Sequence, residues 1–159
     1  MTPRRLALAV AAGVVVLDQL AKAWAVADLA DGPIVLIDGF LELALVRNPG
    51  AAFGLLEGAG SIIALVAIAA AVVIVLALRR LGRRLDAVAL GLVLGGAIGN
   101  LIDRVVRGDG LLDGEVVDFV DFSFFPAFNV ADAAITIGAI LALWEALRAP
   151  AETTSSRTG

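Results

Sequence analysis

Four long apolar blocks dominate the pattern of hydrophobic and polar positions along the chain. They cover about residues 6–27, 61–78, 87–106 and 129–147 and consist mainly of Ala, Val, Leu and Ile. Each block is close to the roughly 20 residues that a helix needs to cross the hydrocarbon core of a bilayer. The pattern therefore predicts an all-α membrane protein with four transmembrane helices, in a single domain over residues 1–149.

The first block could instead be a cleavable secretory signal, because Ala25, Val26 and Ala27 resemble a small-residue cleavage site. A signal peptide has a shorter, uncharged apolar core, whereas this block contains Asp18 and Lys22 and precedes three further blocks. We therefore expect the first block to remain in the protein as a helix.

After the first block, apolar residues recur at every second position. Within residues 34–46, leucines alternate with other residues from position 41 onward, which is typical of a strand. We expect a small extracytoplasmic β-sheet between helices 1 and 2, lying on the membrane surface. Residues 150–159 are polar and rich in Ser and Thr, so they are predicted to form a disordered cytoplasmic tail.

Glycine also recurs regularly in the third block. Gly91, Gly95 and Gly99 are spaced four residues apart and so lie on one face of a helix. Small residues at this spacing let a second helix backbone approach closely. We expect the third helix to pack tightly against a neighbour along this face.

The charges of the connections predict the orientation in the membrane. Residues 79–84 contain four arginines, whereas residues 28–60 and 107–128 carry mostly Asp and Glu. Short Arg-rich loops stay on the cytoplasmic side. Both termini and the arginine loop are therefore expected in the cytoplasm, with the two acidic connections outside.

Composition narrows the chemistry. The chain has no His and no Cys, which excludes Ser/His/Asp and Cys/His nucleophile systems, zinc-peptidase helices and disulfide scaffolds. Its formal net charge of −4 argues against a nucleic-acid partner, because phosphate binding needs a basic face. Any catalysis must rely on carboxylates, Lys or hydroxyl groups.

Polar side chains within or beside the apolar blocks are the candidate functional residues, because each is costly in the bilayer. They are Asp18, Lys22, Asn100, Asp103, Arg104, Asp118, Asn129 and Asp132.

Each has a structural interpretation that remains open. Asp18 and Lys22 are four residues apart and could neutralise one another on one helix face. Asp103 could pair with the arginine four residues later. Asn129 and Asp132 have the spacing of a capping box, in which the two side chains satisfy backbone N–H groups at a helix start.

A functional interpretation arises when these residues are considered together. The outer ends of the third and fourth blocks and the acidic segment between them should bring Asp103, Asp118 and Asp132 close to one another. Carboxylates so placed repel unless they do chemistry or bind a cation. Two close carboxylates can share one proton, with one acting as base toward water and the other as acid. This is the chemistry of an aspartic peptidase, with Asn100, Arg104 and Asn129 orienting the carboxylates or stabilising the developing oxyanion.

Two alternatives to that chemistry stay open. Clustered carboxylates also suit Mg²⁺ or Ca²⁺, although an aspartate dyad needs neither metal nor cofactor. A small proton-coupled membrane transporter could use Asp18, Asp103 and Asp132 as a proton relay.

Five short motifs occur in order along the chain: LDQLAK at 17–22, RNPGAAFG at 47–54, GGAIGNLIDR at 95–104, VVDF at 116–119 and FNVAD at 128–132. Together with the four apolar blocks, they resemble the lipoprotein signal peptidase (signal peptidase II) family over nearly the whole chain. Three features depart from the family's pattern. Gly54 follows Phe53 where a small hydroxyl residue is common. Glu115 stands where many relatives have His, and residues 107–114 form a Gly/Asp-rich insertion.

The resemblance implies an aspartic endopeptidase of the bacterial inner membrane. Such an enzyme removes signal peptides from diacylglyceryl-modified prolipoproteins, cutting N-terminal to the lipidated Cys, with its active site toward the outer leaflet. It implies membrane lipid as a partner and sensitivity to globomycin-type inhibitors. The catalytic positions match Asp118 and Asp132. Substrate binding or support of the dyad is implied for Asp18, Lys22, Asn48, Gly50, Asn100, Asp103, Arg104 and Asn129.

Overall fold

The computed structural model describes residues 1–50 and 60–148. These residues form the helices α1 (Pro3–Asp28), α2 (Gly60–Ala77), α3 (Arg84–Val106) and α4 (Val130–Arg148), and the strands β1 (Ile34–Ile37), β2 (Leu41–Asn48), β3 (Val116–Phe122) and β4 (Phe125–Phe128). Within these ranges the chain is mostly helical, as predicted. The predicted tail at 150–159 and the second half of the RNPGAAFG motif lie outside the described residues.

All four helices are long and apolar enough to cross a membrane. Their bounds lie within about three residues of the predicted blocks. The starts of α1 and α3 differ most, each lying three residues before its block. At the start of α1 the Thr2 hydroxyl accepts a hydrogen bond from Arg5 N at 3.3 Å and Pro3 occupies the first helical position. Proline is favourable there because its missing N–H has no partner in a helix anyway. The helix therefore begins before the apolar block does.

Helix α3 lies at the centre of the bundle and packs against the other three helices. The glycine repeat allows the close approach that its spacing predicts. A Cβ atom on Gly91 would lie 2.6 Å from Ala7 O, and one on Gly95 would lie 2.7 Å from Ala11 O. At these positions the backbones of α1 and α3 are too close for any side chain between them.

The four strands form one antiparallel sheet in the order β1-β2-β3-β4. The first two strands follow α1, as predicted. The other two come from the connection between α3 and α4, where the sequence pattern predicted no strand. Residues 116–119 are all buried, so this part of β3 lacks the alternation that identifies a half-exposed strand.

The sheet lies at one end of the bundle, which we call the sheet end. There Val117 and Phe119 of β3 pack against Ala25 and Leu29 at the end of α1. The opposite end contains residues 78–84 and is called the arginine-loop end. The sheet therefore brings β3 next to the last turns of α1 and α3 and the first turn of α4.

Candidate active site

A cavity of about 630 Å³ opens at the sheet end between α2, α3, α4 and the sheet. Its lining is largely apolar and includes Phe125 and Phe128 of β4 and Ile63 of α2. The polar side chains that line it are Asn48, Asn100, Arg104, Asp118, Asp132 and Thr136. A few polar groups in an apolar cavity are typical of a binding or catalytic site.

Asp118 lies in β3, opposite Val46 of β2, and is 1% exposed. Its Oδ1 accepts a hydrogen bond from Asn129 Nδ2 at 2.6 Å, and its Oδ2 accepts one from Asn48 Nδ2 at 3.0 Å. Burial raises the pKa of Asp118 to about 6, and the charge of Asp132 acts in the same direction, against the effect of the two amide donors. Asp118 therefore takes up a proton more readily than an ordinary aspartate.

Asp132 lies in the first turn of α4. Its Oδ2 accepts from Asn129 N at 3.3 Å, and Asp132 N donates to Asn129 Oδ1 at 2.9 Å. These reciprocal bonds form a capping box. The other oxygen, Oδ1, accepts from Asn100 Nδ2 at 2.7 Å, and the side chain also lines the cavity. Asp132 therefore caps α4 through Oδ2 and also lines the cavity, so the capping and site interpretations are compatible.

Two asparagine amides connect the aspartates. Asn129 Nδ2 donates to Asp118 and also to Asn100 Oδ1 at 3.1 Å. Asn100 Oδ1 accepts a second bond from Lys22 Nζ at 2.8 Å. With two donors facing its oxygen, the Asn100 amide must direct its NH₂ group toward Asp132.

Lys22 stands behind these amides and is completely buried. Its Nζ atom lies 2.9 Å from Asp18 Oδ2 and 2.9 Å from Asp103 Oδ2, and both carboxylates are also fully buried. The expected i, i+4 pair of Asp18 and Lys22 is therefore present within a larger ion cluster. Buried charges tolerate this environment only when they are paired and hydrogen-bonded.

Asp18 and Asp103 also bind the backbone. Ala131 N donates to Asp18 Oδ1 at 2.9 Å, and Val117 N donates to Asp103 Oδ2 at 3.1 Å. Asp103 further pairs with Arg107 Nε at 2.9 Å, as the four-residue spacing allowed. Asp103 approaches β3 as expected, but it does not line the cavity. The two carboxylates hold the elements that carry Asp132 and Asp118.

Arg104 was expected to orient carboxylates, but its hydrogen bonds within the described residues go to main-chain carbonyls. Its guanidinium donates to Gly50 O at 2.8 Å, Gly114 O at 3.0 Å and Pro49 O at 3.2 Å. Arg104 thus joins the end of β2 to the start of the β3 connection. Gly50 N in turn donates to Asn48 Oδ1 at 3.1 Å, which leaves the Asn48 NH₂ group for Asp118.

The sequence interpretation overlooked Gln19. Its Nε2 donates to Asp18 Oδ2 at 3.2 Å, Gly99 O at 3.1 Å and Asp103 Oδ1 at 3.4 Å. A polar residue beside Asp18 in an apolar block was the available signal. The aromatic wall of β4 and the Thr136 hydroxyl, one turn beyond Asp132, were also not anticipated.

The acidic side chains near the cavity therefore fall into two kinds. Asp18 and Asp103 are neutralised by ion pairs. Asp118 and Asp132 have amide and backbone donors, and within residues 1–50 and 60–148 neither forms an ion pair. Those same ranges contain no group of three or more acidic, His or Cys side chains arranged to hold a metal ion. Asp118 and Asp132 line the same cavity, and the charge of Asp132 contributes to the raised pKa of Asp118.

Four helices of membrane-spanning length, and two carboxylates that line one cavity at one end of the bundle, define a multi-pass membrane protein with a candidate hydrolytic site. The chain belongs to the signal peptidase II family, since the family model described as Signal peptidase (SPase) II matches residues 10–148.

Individual relatives agree with that assignment. A lipoprotein signal peptidase of Rhodococcus jostii is 49% identical over 144 residues, covering 87% of this chain and 71% of the relative. One of Mycobacterium avium is 46% identical over 138 residues, covering 86% and 76%. A solved structure of a bacterial membrane enzyme is similar with a TM-score of 0.77 and 30% identity, covering 96% of this chain and 94% of that one.

Proposed function

We propose that this protein is an aspartic endopeptidase that removes signal peptides from diacylglyceryl-modified prolipoproteins, cutting N-terminal to the lipidated Cys. Family membership supports the substrate class, because the similar proteins are named lipoprotein signal peptidases. One structural observation supports the catalytic assignment. Asp118 and Asp132 line one cavity and form no ion pair within the described parts of the chain, whereas Asp18 and Asp103 pair with Lys22, and Asp103 also with Arg107.

In this mechanism the two carboxylates share one proton. The ionised member removes a proton from a water molecule, whose oxygen attacks the scissile carbonyl carbon. The protonated member donates its proton to the carbonyl oxygen. Collapse of the tetrahedral intermediate breaks the C–N bond as the nitrogen takes the proton that the first carboxylate removed from water, and a hydroxyl of the intermediate returns a proton to the second carboxylate. The products are a signal peptide with a new carboxylate and a lipoprotein whose lipidated Cys carries a free amine.

The surrounding amides keep the dyad in this geometry. Asn48 and Asn129 each donate to one oxygen of Asp118, while Asn100 and the Asn129 backbone donate to Asp132. Orienting groups of this kind lower the reorganisation needed in the transition state. These contacts agree with a role for Asn48, Asn100 and Asn129 in orienting the dyad. Lys22 fixes the orientation of the Asn100 amide by donating to its Oδ1.

We further propose that the sheet end faces the outer leaflet of the bacterial inner membrane, with both termini and the arginine loop in the cytoplasm. The acyl chains of the substrate then remain in membrane lipid while its peptide enters the apolar cavity. Globomycin-type inhibitors are expected to occupy the same cavity on family grounds. Family membership gives the proton-coupled transporter no support.

The decisive experiment is single-turnover cleavage of a diacylglyceryl-modified prolipopeptide by the purified protein in detergent, with mass spectrometry locating the cut. Asp118→Asn and Asp132→Asn keep the side-chain size but remove the base or its acid partner. Each should lower cleavage by more than about a hundredfold. The double variant should cost little more, because residues that act as one unit are not additive. Asp121→Asn, a carboxylate of β3 outside the cavity, is the matched control and should retain activity.

Other outcomes would contradict the proposal. If Asp132 were only a capping residue, Asp132→Asn would cost about 1 kcal/mol of helix stability and leave cleavage nearly intact. Robust turnover by either single variant, folded and stable in detergent, would exclude the dyad. Loss of turnover in EDTA that a divalent ion restores would replace the dyad mechanism with a metal-dependent one.

A further inference from the structure

Helices α2 and α4 both pack against α3 but share almost no contacts with each other within the described ranges, and we call the face of α3 between them the groove. Asp86, Leu90, Val93, Ala97 and Asn100 follow one another at spacings of four, three, four and three residues, so they lie on one face of α3. The candidate dyad lies at the sheet end of this groove. A second cavity, of about 330 Å³, lies at its arginine-loop end.

The second cavity contains more acidic than basic side chains. It is lined by Asp86 and Leu90 of α3, Ala142 and Glu145 of α4, and Arg83 of the loop, among others. Its three charged groups have a net charge of −1. No cation within the described ranges lies at ion-pair distance from Asp86.

Glu145 is the unusual member of this cavity. It belongs to a membrane-length helix and is 6% exposed. Its Oε2 atom lies 2.7 Å from Arg83 Nη1, but the contact lacks hydrogen-bond geometry, and this oxygen has no hydrogen-bond partner in the described residues. The Arg83 side chain is 62% exposed. An incompletely satisfied buried carboxylate is costly, and a second cationic donor in the cavity would satisfy it.

We propose that this cavity binds the positively charged N-terminal segment of the signal peptide while its cleavage site occupies the dyad. This inference rests on the proposed function. A signal peptide carries Lys or Arg before an apolar core of 7–15 residues, which in turn precedes the cleavage site. The cavity and the dyad therefore bind the two ends of one substrate segment.

The spacing of the two sites fits such a segment. Asp86 and Asn100 are 14 residues apart on α3, and Asp132 and Glu145 are 13 residues apart on α4. At 1.5 Å per residue these intervals correspond to about 20 Å along each helix. An apolar helix of about 13 residues would span that length within the groove, with its cation at Glu145 and its cleavage site near Asp132.

The inference is tested with two diacylglyceryl-modified prolipopeptides that differ only in having Lys or Gln before the apolar core. The wild-type protein should cleave the Lys peptide with a higher kcat/KM, and the difference should lie in KM. Glu145→Gln should lower that preference about fivefold. Asp86→Asn should act in the same direction and provides a second variant should Glu145→Gln fail to fold.

Arg83→Gln separates substrate binding from a purely structural ion pair. Because Arg83 competes with the substrate cation for Glu145, its removal should increase the preference for the Lys peptide. A structural pair predicts the same preference in all three variants. Arg80→Gln, which removes an arginine of the same loop that does not line the cavity, is the control for general loop charge.

An unchanged preference in Glu145→Gln and Asp86→Asn, or equal cleavage of both peptides by the wild-type protein, would overturn the inference while leaving the proposed function intact. Failure to cleave either peptide would overturn the proposed function, and the signal-peptide site with it.

Discussion

Asn129 shows how one side chain can set both the backbone and the chemistry of a site. Its Oδ1 accepts from Asp132 N and thereby caps α4, while its Nδ2 donates to Asp118 Oδ1 at 2.6 Å. Because the same amide contacts both aspartates, the position of the proposed dyad depends directly on where α4 begins. A capping box alone would need only the first of these contacts.

At the same scale, Asn48 is expected to tune the proton affinity of Asp118. The raised pKa of about 6 means that Asp118 loses its proton as the pH rises through that value. A dyad that needs one shared proton should therefore lose kcat/KM on the alkaline side, since this parameter reports the free enzyme. Asn48→Ala removes a donor that stabilises the carboxylate, so the pKa should rise and the alkaline limb should move to higher pH.

The measurement is the pH profile of kcat/KM in detergent for the wild-type protein and Asn48→Ala. Asp121→Asn is the matched control and should leave the profile in place. A shift of the alkaline limb to lower pH in Asn48→Ala would show that Asn48 does not act by stabilising the ionised form of Asp118.

Residues such as Asp118 and Asp132 could be proposed from sequence because ionisable groups beside apolar blocks are costly and because short motifs surround them. The hydrogen bonds that surround these aspartates could not be predicted from sequence. The orientation of the Asn100 amide depends on Lys22, which lies 78 residues earlier in the chain. Hydrogen bonds over such separations follow from helix packing, which no local pattern specifies.

At the scale of elements, the sequence predicted the two strands that follow α1 but not the two strands between α3 and α4. β2 is half-buried along its length, so its alternating side chains identified it. β3 is covered on both faces where it carries Asp118, and a short apolar run does not distinguish a strand from other buried structure. The acidic segment was therefore expected to be a loop, although it forms an inner strand of the sheet.

The contact between α1 and α3 gives a prediction about stability. An added Cβ at Gly95 would meet Ala11 O and Val14 Cβ, each at 2.7 Å, so Gly95→Ala must separate the two backbones. Overpacking of this kind costs about 1–3 kcal/mol. Gly13→Ala is the matched control in α1, because nothing lies within 4 Å of its added Cβ and alanine has the higher helix propensity.

Thermal unfolding in detergent distinguishes the two variants. Gly95→Ala should have a lower Tm than the wild-type protein, whereas Gly13→Ala should have an equal or higher Tm. Equal effects at both positions would mean that helix propensity, and not the approach of α1 to α3, decides stability here.

At the scale of the whole molecule, the two ends of the bundle differ both in the charge of their connections and in the presence of the candidate dyad. The sheet end carries the candidate dyad and the acidic connections, whereas the opposite end carries four arginines within residues 79–84. The four spans were predictable because apolar blocks of this length have few alternatives to crossing a bilayer. The depth of the cavity was not, since it depends on how far α2 and α4 stand apart.

The orientation of the molecule can be tested with single cysteines, because the natural chain has none. Gly82→Cys places a thiol in the arginine loop and Asp109→Cys places one in the exposed connection before β3. Moving four arginines across the membrane is strongly disfavoured, so the loop should stay in the cytoplasm. A membrane-impermeant maleimide added to spheroplasts should label Asp109→Cys at once and Gly82→Cys only after permeabilisation. The reverse pattern would place the proposed dyad on the cytoplasmic side, where a prolipoprotein exported across the membrane would not present its cleavage site.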